Sequence, residues 1–394
     1  MKQIVAWALL TIIYPWSLQA ADWPNWRGPG WNGISTERIA TWGSEGPKVL
    51  WSKEFGQGFS AVSVCQGKVY TLGNPDGKTD KIYCFRESDG QEVWCKSYPC
   101  PAKGFGGPRV TPTIDGPRLY SLSREGDLFC LNKDTGAEIW ARNLSADFGL
   151  QVPFHGFTGS PRIIGEMLYL NAGTCGLALR KLSGVPLWCN GSEPSGNATP
   201  VPYTLDGQDC LAIFTAKGMA GVNRATGARL WFYPWECAAN APDPFFLEGR
   251  LFMSTGWKLG SALLDLRKKE PNVLWKNPGI SPHFMSPILW RGFVYGFEGD
   301  VRSKLKASFR CINLETGKTA WETPMNGSAI LVDQKLLIVT ENGELVLAEA
   351  NPEKYVELCR GAIGAGEWWT APVYANGRIY CRTTRGKLLC LEGR

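Results

Sequence analysis

The sequence lacks the patterns of several common protein classes. No stretch repeats apolar residues at a sustained helical spacing, so we expect almost no helix. After residue 20, no segment is long and apolar enough to cross a bilayer, which predicts no membrane span. There are only two histidines and no Cys-x-x-Cys pair, so we predict no metal site. The net charge of +6 comes from scattered basic residues, which predicts no nucleic-acid partner.

What the sequence has instead is a repeat. A turn that ends in glycine, most often Thr-Gly, is followed by three residues and then tryptophan. The repeated tryptophans recur at intervals of about 43 to 48 residues, which is typical of propeller blades. They are Trp51, Trp94, Trp140, Trp188, Trp231, Trp275 and Trp321. A proline repeats in step with them, at Pro112, Pro161, Pro200, Pro244, Pro287 and Pro372.

The strands of one unit and the two ends of the chain predict the complete architecture. The second unit divides into short strands at Val110–Ile114, Arg118–Leu122, Leu128–Leu131 and Glu138–Ala141. The last unit stops near Leu391 without a tryptophan strand, and Val49–Phe55 supplies one from the other end. Joining them leaves no open sheet edge. We therefore predict an all-β, eight-bladed propeller of four-stranded antiparallel blades, closed by an N-terminal strand that completes the last blade.

The beginning of the sequence has the layout of a secretory signal. Lys2 precedes the apolar run Ile4–Trp16, and small residues follow up to Ala20. The run is short for a membrane span, which favours a cleaved signal over a retained anchor. The first cysteine after the signal is Cys65, so we expect no lipid anchor there. The protein is therefore predicted to be exported, to the periplasm or the extracellular side.

Three parts of the chain follow from these patterns. They are a signal peptide at 1–20, a tryptophan-rich arm at 21–48 and a single propeller domain at 49–394, and we expect a monomer. We hypothesise that the arm packs across the propeller as a clamp. The residues expected to hold it are Trp23, Trp26, Arg27 and Trp31.

Thirteen cysteines in an exported chain suggest disulfides, but the repeat offers another explanation. Four of them share one position of the repeat, namely Cys84, Cys130, Cys311 and Cys390. Other units have a small or aliphatic residue there, so we interpret the position as a buried strand slot. One disulfide remains a candidate, between Cys381 and Cys390, if the two face each other across a hairpin turn.

The glycine turns with their tryptophans resemble the repeat of the pyrroloquinoline-quinone-type propeller family, over nearly the whole mature chain. That family includes eight-bladed quinoprotein alcohol dehydrogenases and the non-enzymatic propeller of the barrel-assembly machinery. The segment Asp22–Gly30 resembles secreted planctomycete-type members. The resemblance implies that each repeated tryptophan docks against the neighbouring blade. The implied docking residues are Gly90, Trp94, Gly136, Trp140, Trp188, Gly227, Trp231, Trp275, Gly317 and Trp321.

Function in such a propeller depends on the mouth of its central channel. The loops that lead into the innermost strands share this face with the turns between second and third strands. Aromatic, arginine, lysine and histidine side chains there could bind a planar anion, a sugar or a partner, or could simply pack between blades. The candidate binding residues are Arg109, His155, Phe157, Trp257, Lys258, His283, Arg302, Trp368 and Trp369.

The resemblance also implies what a dehydrogenase of this family would need. Its members hold the quinone against a pair of adjacent cysteines with a calcium ion nearby, and this sequence has no Cys-Cys pair. Asp300 and Glu367 are the only catalytic candidates, nominated by loop position. We therefore expect no cofactor and a non-catalytic scaffold that binds a protein partner or an envelope glycan. The alternative is an alcohol or sugar dehydrogenase that uses pyrroloquinoline quinone with calcium.

Overall fold

Short strands separated by tight turns make up almost all of the regular structure. The computed structural model describes residues 21–101, 106–237, 240–268, 270–299 and 307–394. The predicted signal peptide lies outside them. The described residues form eight sheets, each with four antiparallel strands, and one helix, Leu144–Phe148. Asn143 caps this helix by accepting hydrogen bonds from the backbone N–H groups of Ser145 and Ala146. The predicted eight-bladed, almost helix-free propeller is confirmed.

In the first four blades the strands follow one another from the innermost to the outermost. Each strand pairs antiparallel with the next, as expected for a meander. Blade 1 comprises Ser63–Cys65, Lys68–Gly73, Thr79–Arg86 and Glu92–Pro99; blade 2 comprises Thr113–Asp115, Arg118–Leu122, Asp127–Asn132 and Glu138–Asn143; blade 3 comprises Arg162–Ile164, Met167–Leu170, Leu177–Arg180 and Pro186–Cys189; blade 4 comprises Val201–Leu205, Gln208–Thr215, Gly218–Asn223 and Arg229–Pro234.

The second half repeats the plan, and only its last blade takes a strand from elsewhere. The outermost strand of that blade comes from the N-terminal side of the chain. Blade 5 comprises Phe245–Leu247, Arg250–Thr255, Gly260–Asp265 and Asn272–Asn277; blade 6 comprises Ile288–Trp290, Phe293–Glu298, Ser308–Asn313 and Thr319–Pro324; blade 7 comprises Gly327–Val332, Lys335–Thr340, Glu344–Glu349 and Glu357–Ala362; blade 8 comprises Val373–Ala375, Arg378–Arg382, Lys387–Glu392 and Val49–Glu54.

The ring closes where the sequence predicted. Val49–Glu54 pairs antiparallel with Lys387–Glu392, and Trp51 lies opposite Cys390. A buried arginine adds to this seam: Arg382 of blade 8 donates hydrogen bonds to the carbonyl oxygens of Gly58, Ser60 and Leu72, at 2.7 to 2.9 Å. Because those carbonyls precede or belong to blade 1, the arginine ties the last blade to the first.

The N-terminal arm lies against the inner strands of the ring. Trp23 and Val64 of blade 1 exchange backbone hydrogen bonds of 2.8 Å, and the Pro24 carbonyl accepts one from Ile114 of blade 2. Ile34–Ser35 then pairs in parallel with Gly327–Val332 and becomes a fifth strand of blade 7. The sequence did not predict this strand. The arm thus covers backbone edges that the innermost strands would otherwise leave without partners.

The far part of the arm is tied to blade 8. The carboxylate of Glu37 is buried and accepts hydrogen bonds from the backbone N–H groups of Asn376 and Gly377. It also pairs with the guanidinium of Arg394, at 2.6 Å. The carbonyl of Arg38 accepts a hydrogen bond from the Tyr374 hydroxyl. The arm therefore contacts the ring at both of its ends.

The repeated tryptophans join neighbouring blades. Six of their indole N–H groups donate to a backbone carbonyl in the next blade, at 2.8 to 3.1 Å; the donors are Trp51, Trp94, Trp140, Trp188, Trp275 and Trp321. Five of the receiving turns have a glycine of positive φ packed against the indole: Gly90, Gly136, Gly184, Gly227 and Gly317. A Cβ added at Gly136 would lie 2.6 Å from Trp94, so the turn requires glycine.

Trp231 departs from this arrangement. Its indole N–H donates to the Tyr203 hydroxyl, at 2.9 Å, instead of to blade 5. The turn of blade 5 has Pro271 at the position that glycine occupies in the turns of blades 1, 2, 3, 4 and 6. The indole instead fills the repeat slot within its own blade, since a Cβ at Gly221 would lie 2.1 Å from its nitrogen.

The cysteines are all free thiols in this structure. Cys84, Cys130, Cys311 and Cys390 are completely buried, and each lies between a tyrosine and a docking tryptophan of the same blade, as in Tyr70–Cys84–Trp94. The candidate disulfide between Cys381 and Cys390 was wrong. Cys381 pairs with Leu389 and Cys390 with Tyr380, so the two cysteines are one residue out of register and point to opposite faces.

Candidate functional site

A belt of polar side chains lies just before the repeated prolines and runs through blades 1 to 6. In successive blades, a backbone N–H donates to the side chain of the equivalent residue one blade further on, at 2.7 to 3.2 Å. The chain of donors and acceptors runs through Ala61, Thr111, Ser160, Thr199, Asp243 and Ser286. The proline repeat in the sequence therefore marks the wall of the channel.

Asp243 is the one carboxylate in this run of the belt. Its Oδ1 accepts the Thr199 N–H at 2.7 Å, and its Oδ2 accepts the indole N–H of Trp26 at 2.7 Å. Burial raises its pKa, while the nearby Arg27 guanidinium opposes that rise. Asp243 thus fixes the arm to the wall of the channel across 217 residues of sequence.

Arg27 lies beside this carboxylate in the floor of a cavity. One of its terminal nitrogens donates to the carbonyls of Asn32 and Pro287, each at 2.8 Å. Burial lowers its pKa and Asp243 opposes the decrease. The cavity has a volume of about 200 Å³ and is bounded below by Trp23, Trp26 and Arg27. The mouth loops lead along the chain into the innermost strands, and the arm contacts those strands beyond the loops. The arm therefore lies deeper in the channel than the mouth.

Aromatic rings form a continuous arc above this floor. Trp257 lies 5.7 Å from His283, which lies 5.0 Å from Phe284 between ring centroids. Phe284 is 5.9 Å from Trp369, and Trp369 is stacked on Phe59 at 6.0 Å with an interplanar angle of 20°. The arc runs from blade 5 through the loops of blades 6, 8 and 1.

Arg109 ends the arc. Its guanidinium carbon lies 5.1 Å from the centroid of Phe59, a cation–π distance. Burial and the neighbouring Arg124 lower its pKa to about 10, so it carries its positive charge at neutral pH. The mouth therefore combines flat apolar surfaces with a fixed cation.

Four of the predicted binding residues line the cavity: Arg109, His155, His283 and Trp369. Trp257 and Lys258 do not line it; they lie in a turn where both have left-handed backbone conformations, with φ of 57° and 65°, and Trp257 contacts the lining residue His283. Trp257 remains partly exposed despite this unfavourable geometry for a bulky residue. Such strained, exposed aromatics are often found at binding sites.

Two predicted binding residues are buried in the packing instead. Trp368 is completely buried and donates to the Gly364 carbonyl at 3.0 Å. Phe157 is buried in the core between blades 2 and 3. Of the two catalytic candidates, Glu367 accepts a hydrogen bond from Thr384 and does not line the cavity. Asp300 and the binding candidate Arg302 lie outside the described residues.

The sequence reasoning missed several residues of the cavity. Phe59 and Phe284 flank Trp369 but were not nominated. Asp243 carried a visible signal, because it precedes a repeated proline where most blades have serine or threonine. The role of Trp26 and Arg27 as the floor had no signal in their spacing, since they meet the wall through residues far away in sequence.

Comparison with known proteins places this geometry in a family. The family model described as "Outer membrane protein assembly factor BamB" matches residues 78–323, more than half of the chain. The chain belongs to this BamB family. BamB of Moranella endobia (strain PCIT) is 21% identical over 282 residues, which cover 66% of this chain and 69% of the relative.

Solved structures agree with the BamB family fold. The crystal structure of BamB from Moraxella catarrhalis has a TM-score of 0.64 at 16% identity, and the match covers 91% of this chain and 98% of that one. The quinohemoprotein alcohol dehydrogenase of Comamonas testosteroni has a TM-score of 0.68 at 14% identity, covering 95% and 81%. At these identities the likeness concerns the fold, which these proteins share with different activities.

The described residues of the cavity do not offer a set of ligands for a calcium–quinone pair. Calcium takes about six to eight oxygen ligands, some of which can be waters. Among the described residues, no three His, Cys, Asp or Glu side chains come together to hold a metal ion. The carboxylate of the cavity, Asp243, already binds Trp26 and Thr199. No described helix is long and apolar enough to cross a membrane.

Proposed function

We propose that this protein is an exported, non-catalytic propeller that binds a protein partner at the mouth of its channel. The observation that carries the proposal is the aromatic arc from Trp257 to Arg109. Tryptophan and arginine dominate the binding energy of protein interfaces, and they are effective where flat apolar surface surrounds them. Membership of a family described as an assembly factor favours a protein over a glycan partner.

Exposure of the mouth supports the same function. Phe154 is 92% exposed at the edge of the mouth and touches the ring of His155. An aromatic side chain so exposed gains little from intramolecular packing, and it is available to a partner. Because Phe154 lies beside a histidine that lines the cavity, a probe at this position would detect a partner bound at the mouth.

Site-specific photocrosslinking tests the proposal. The full chain, exported in its host, carries benzoylphenylalanine in place of Phe154. A matched control places it at Leu187, which is 47% exposed on the outer strand of blade 3. We expect a discrete protein adduct from the mouth position and none from the rim, by which we mean the outermost strands of the blades. Equal adducts from both positions, or none from the mouth, would contradict a protein-binding mouth.

A further inference from the structure

The cavity below the aromatic arc has room for one side chain. Its floor is formed by Trp23, Trp26 and Arg27 of the arm, so an occupant enters from the mouth. Its volume is about 200 Å³. An apolar cavity of about 150 Å³ is large enough to hold a benzene molecule, so this one suits a single ring or a branched aliphatic group rather than a length of polypeptide. The size therefore points to one protruding group of the partner.

The charged side chains of the cavity wall interact with other groups of this protein. Arg27 and Asp243 lie beside each other and are coupled electrostatically. Arg109 donates a hydrogen bond of 3.3 Å to the Gly107 carbonyl and is coupled to the buried Asp80. Each of these three groups thus has a partner within the chain, so an occupant of the cavity need not supply a charge.

The uncharged polar side chains of the wall are engaged as well. Thr158 donates to the Asn197 carbonyl at 2.8 Å, and Ser328 donates to the Thr370 carbonyl at 3.1 Å. Thr370 itself donates to the Phe59 carbonyl at 3.4 Å. The belt residues that accept backbone N–H groups are Ser160, Thr199 and Ser286. A polar occupant would have to compete with these hydrogen bonds, which favours an apolar one.

The rings at the opening favour a flat occupant. Trp369 lies between Phe59 and Phe284, at 6.0 and 5.9 Å between ring centroids, and all three line the cavity. They are only half-buried, so part of each ring can still be covered by another group. Aromatic rings that pack in offset or edge-to-face arrangements gain more than their buried area alone provides. A phenyl ring is therefore favoured over an aliphatic group of the same size.

We propose that the partner inserts a phenylalanine side chain through the aromatic arc into this cavity. The inference rests on the proposed function and names the group that the mouth recognises. Phe59, Phe284 and Trp369 pack around the ring as it enters, and Met285 and Ile330 add apolar surface to the wall. A single aromatic side chain held in a pocket is a common source of most of the affinity of a protein interface.

Small probes that carry one ring test this chemistry. N-acetyl-4-fluorophenylalanine amide is titrated into the full chain and followed by fluorine NMR. Two competitors, N-acetylphenylalanine amide and N-acetylcyclohexylalanine amide, differ only in whether the ring is aromatic. We expect saturable binding of the fluorinated probe. The phenyl competitor should displace it at a concentration at least about threefold lower than the cyclohexyl competitor requires.

Variants of the arc locate the binding. Trp369→Leu and Phe284→Leu each remove a ring but keep an apolar side chain, so we expect each to weaken the fluorinated probe at least about threefold. The matched control is Trp290→Leu, at a half-buried tryptophan of blade 6 that does not line the cavity. Its affinity for the probe should equal that of the unaltered chain.

The outcomes separate the two proposals. No saturable binding of the fluorinated probe, equal displacement by the two competitors, or an unchanged affinity in both arc variants would overturn the phenylalanine inference. A protein adduct from position 154 would still support a protein-binding mouth in each of those cases. Conversely, ring binding without any protein adduct would leave a site for small aromatic compounds, which would contradict both the proposed function and the inserted side chain.

Discussion

At the scale of single residues, strand alternation explains why the tryptophan repeat was such a good predictor. Successive side chains of a strand point to opposite faces, so an inward tryptophan forces its neighbour outward. Trp140 is buried while Ile139 is 46% exposed. The same alternation gives the buried cysteine slot opposite each tryptophan. Local pattern therefore determined these positions without any knowledge of distant contacts.

Trp140→Ala tests the docking role directly. The substitution removes a buried ring and its hydrogen bond to the Lys181 carbonyl, so we expect the free energy of unfolding to fall by about 3–5 kcal/mol. Ile139→Ala, on the exposed side of the same strand, should cost less than about 1 kcal/mol. The measurement is denaturant unfolding of both variants. A loss below about 1 kcal/mol for Trp140→Ala would contradict the docking role.

Residues in loops were predicted less well than those in strands. Trp368 and Trp369 are adjacent, yet Trp368 is packed in the core and Trp369 lines the cavity. Alternation does not apply in an irregular loop, so sequence nominated both without separating them. Trp231 was expected to dock on the next blade, but its indole N–H donates to the Tyr203 hydroxyl of its own blade. Its own neighbourhood in the sequence matches the repeat.

At the scale of elements, the N-terminal arm shows the limit of sequence reasoning. Its aromatic composition predicted that it would pack on the propeller. Its route along the inner strands depends on backbone hydrogen bonds to Val64, Ile114 and Leu331. No periodicity in the sequence predicts these hydrogen bonds. A strand of two residues is also too short to be recognised by pattern. The existence of the contact could be predicted, but the path could not.

Removing the arm tests whether it acts as a clamp. A chain that begins at Lys48 loses the buried Trp23 and the Trp26–Asp243 hydrogen bond. Compared with a chain that begins at Ala21, we expect a loss of at least about 3 kcal/mol, the cost of one buried tryptophan, and a lower melting temperature. Calorimetry of the two chains provides the comparison. An unchanged melting temperature would exclude the clamp.

At the scale of the whole molecule, counting units was enough to predict closure. The last unit lacks a tryptophan strand and the N-terminal side of the chain has an additional one. Pairing the two closes the ring, because a propeller leaves no unpaired edge. What counting could not supply is the arginine that joins blades 8 and 1. Arg382 is buried and lies among carbonyl oxygens of residues more than 300 positions away. Such a contact exists only after the ring has closed.

Arg382→Met tests the seam. Methionine fills a similar volume but leaves the carbonyls of Gly58, Ser60 and Leu72 without this donor, so we expect a loss of at least about 2 kcal/mol. Arg385→Met, at the exposed turn beside it, should change the stability by no more than about 0.5 kcal/mol. Urea unfolding of the two variants gives the comparison. Equal stabilities would show that the strand pairing alone holds the ring.

The central claim is that the mouth, rather than the rim, binds the protein partner. The most direct measurement is isothermal titration calorimetry with the partner that crosslinking has identified. It compares Trp257→Ala with a control at the rim, Leu230→Ala, on the outermost strand of blade 4; both residues are partly exposed. We predict that Trp257→Ala weakens binding at least about tenfold, while Leu230→Ala changes it less than about twofold. Equal affinities for the two variants, or a larger loss at the rim, would contradict the account.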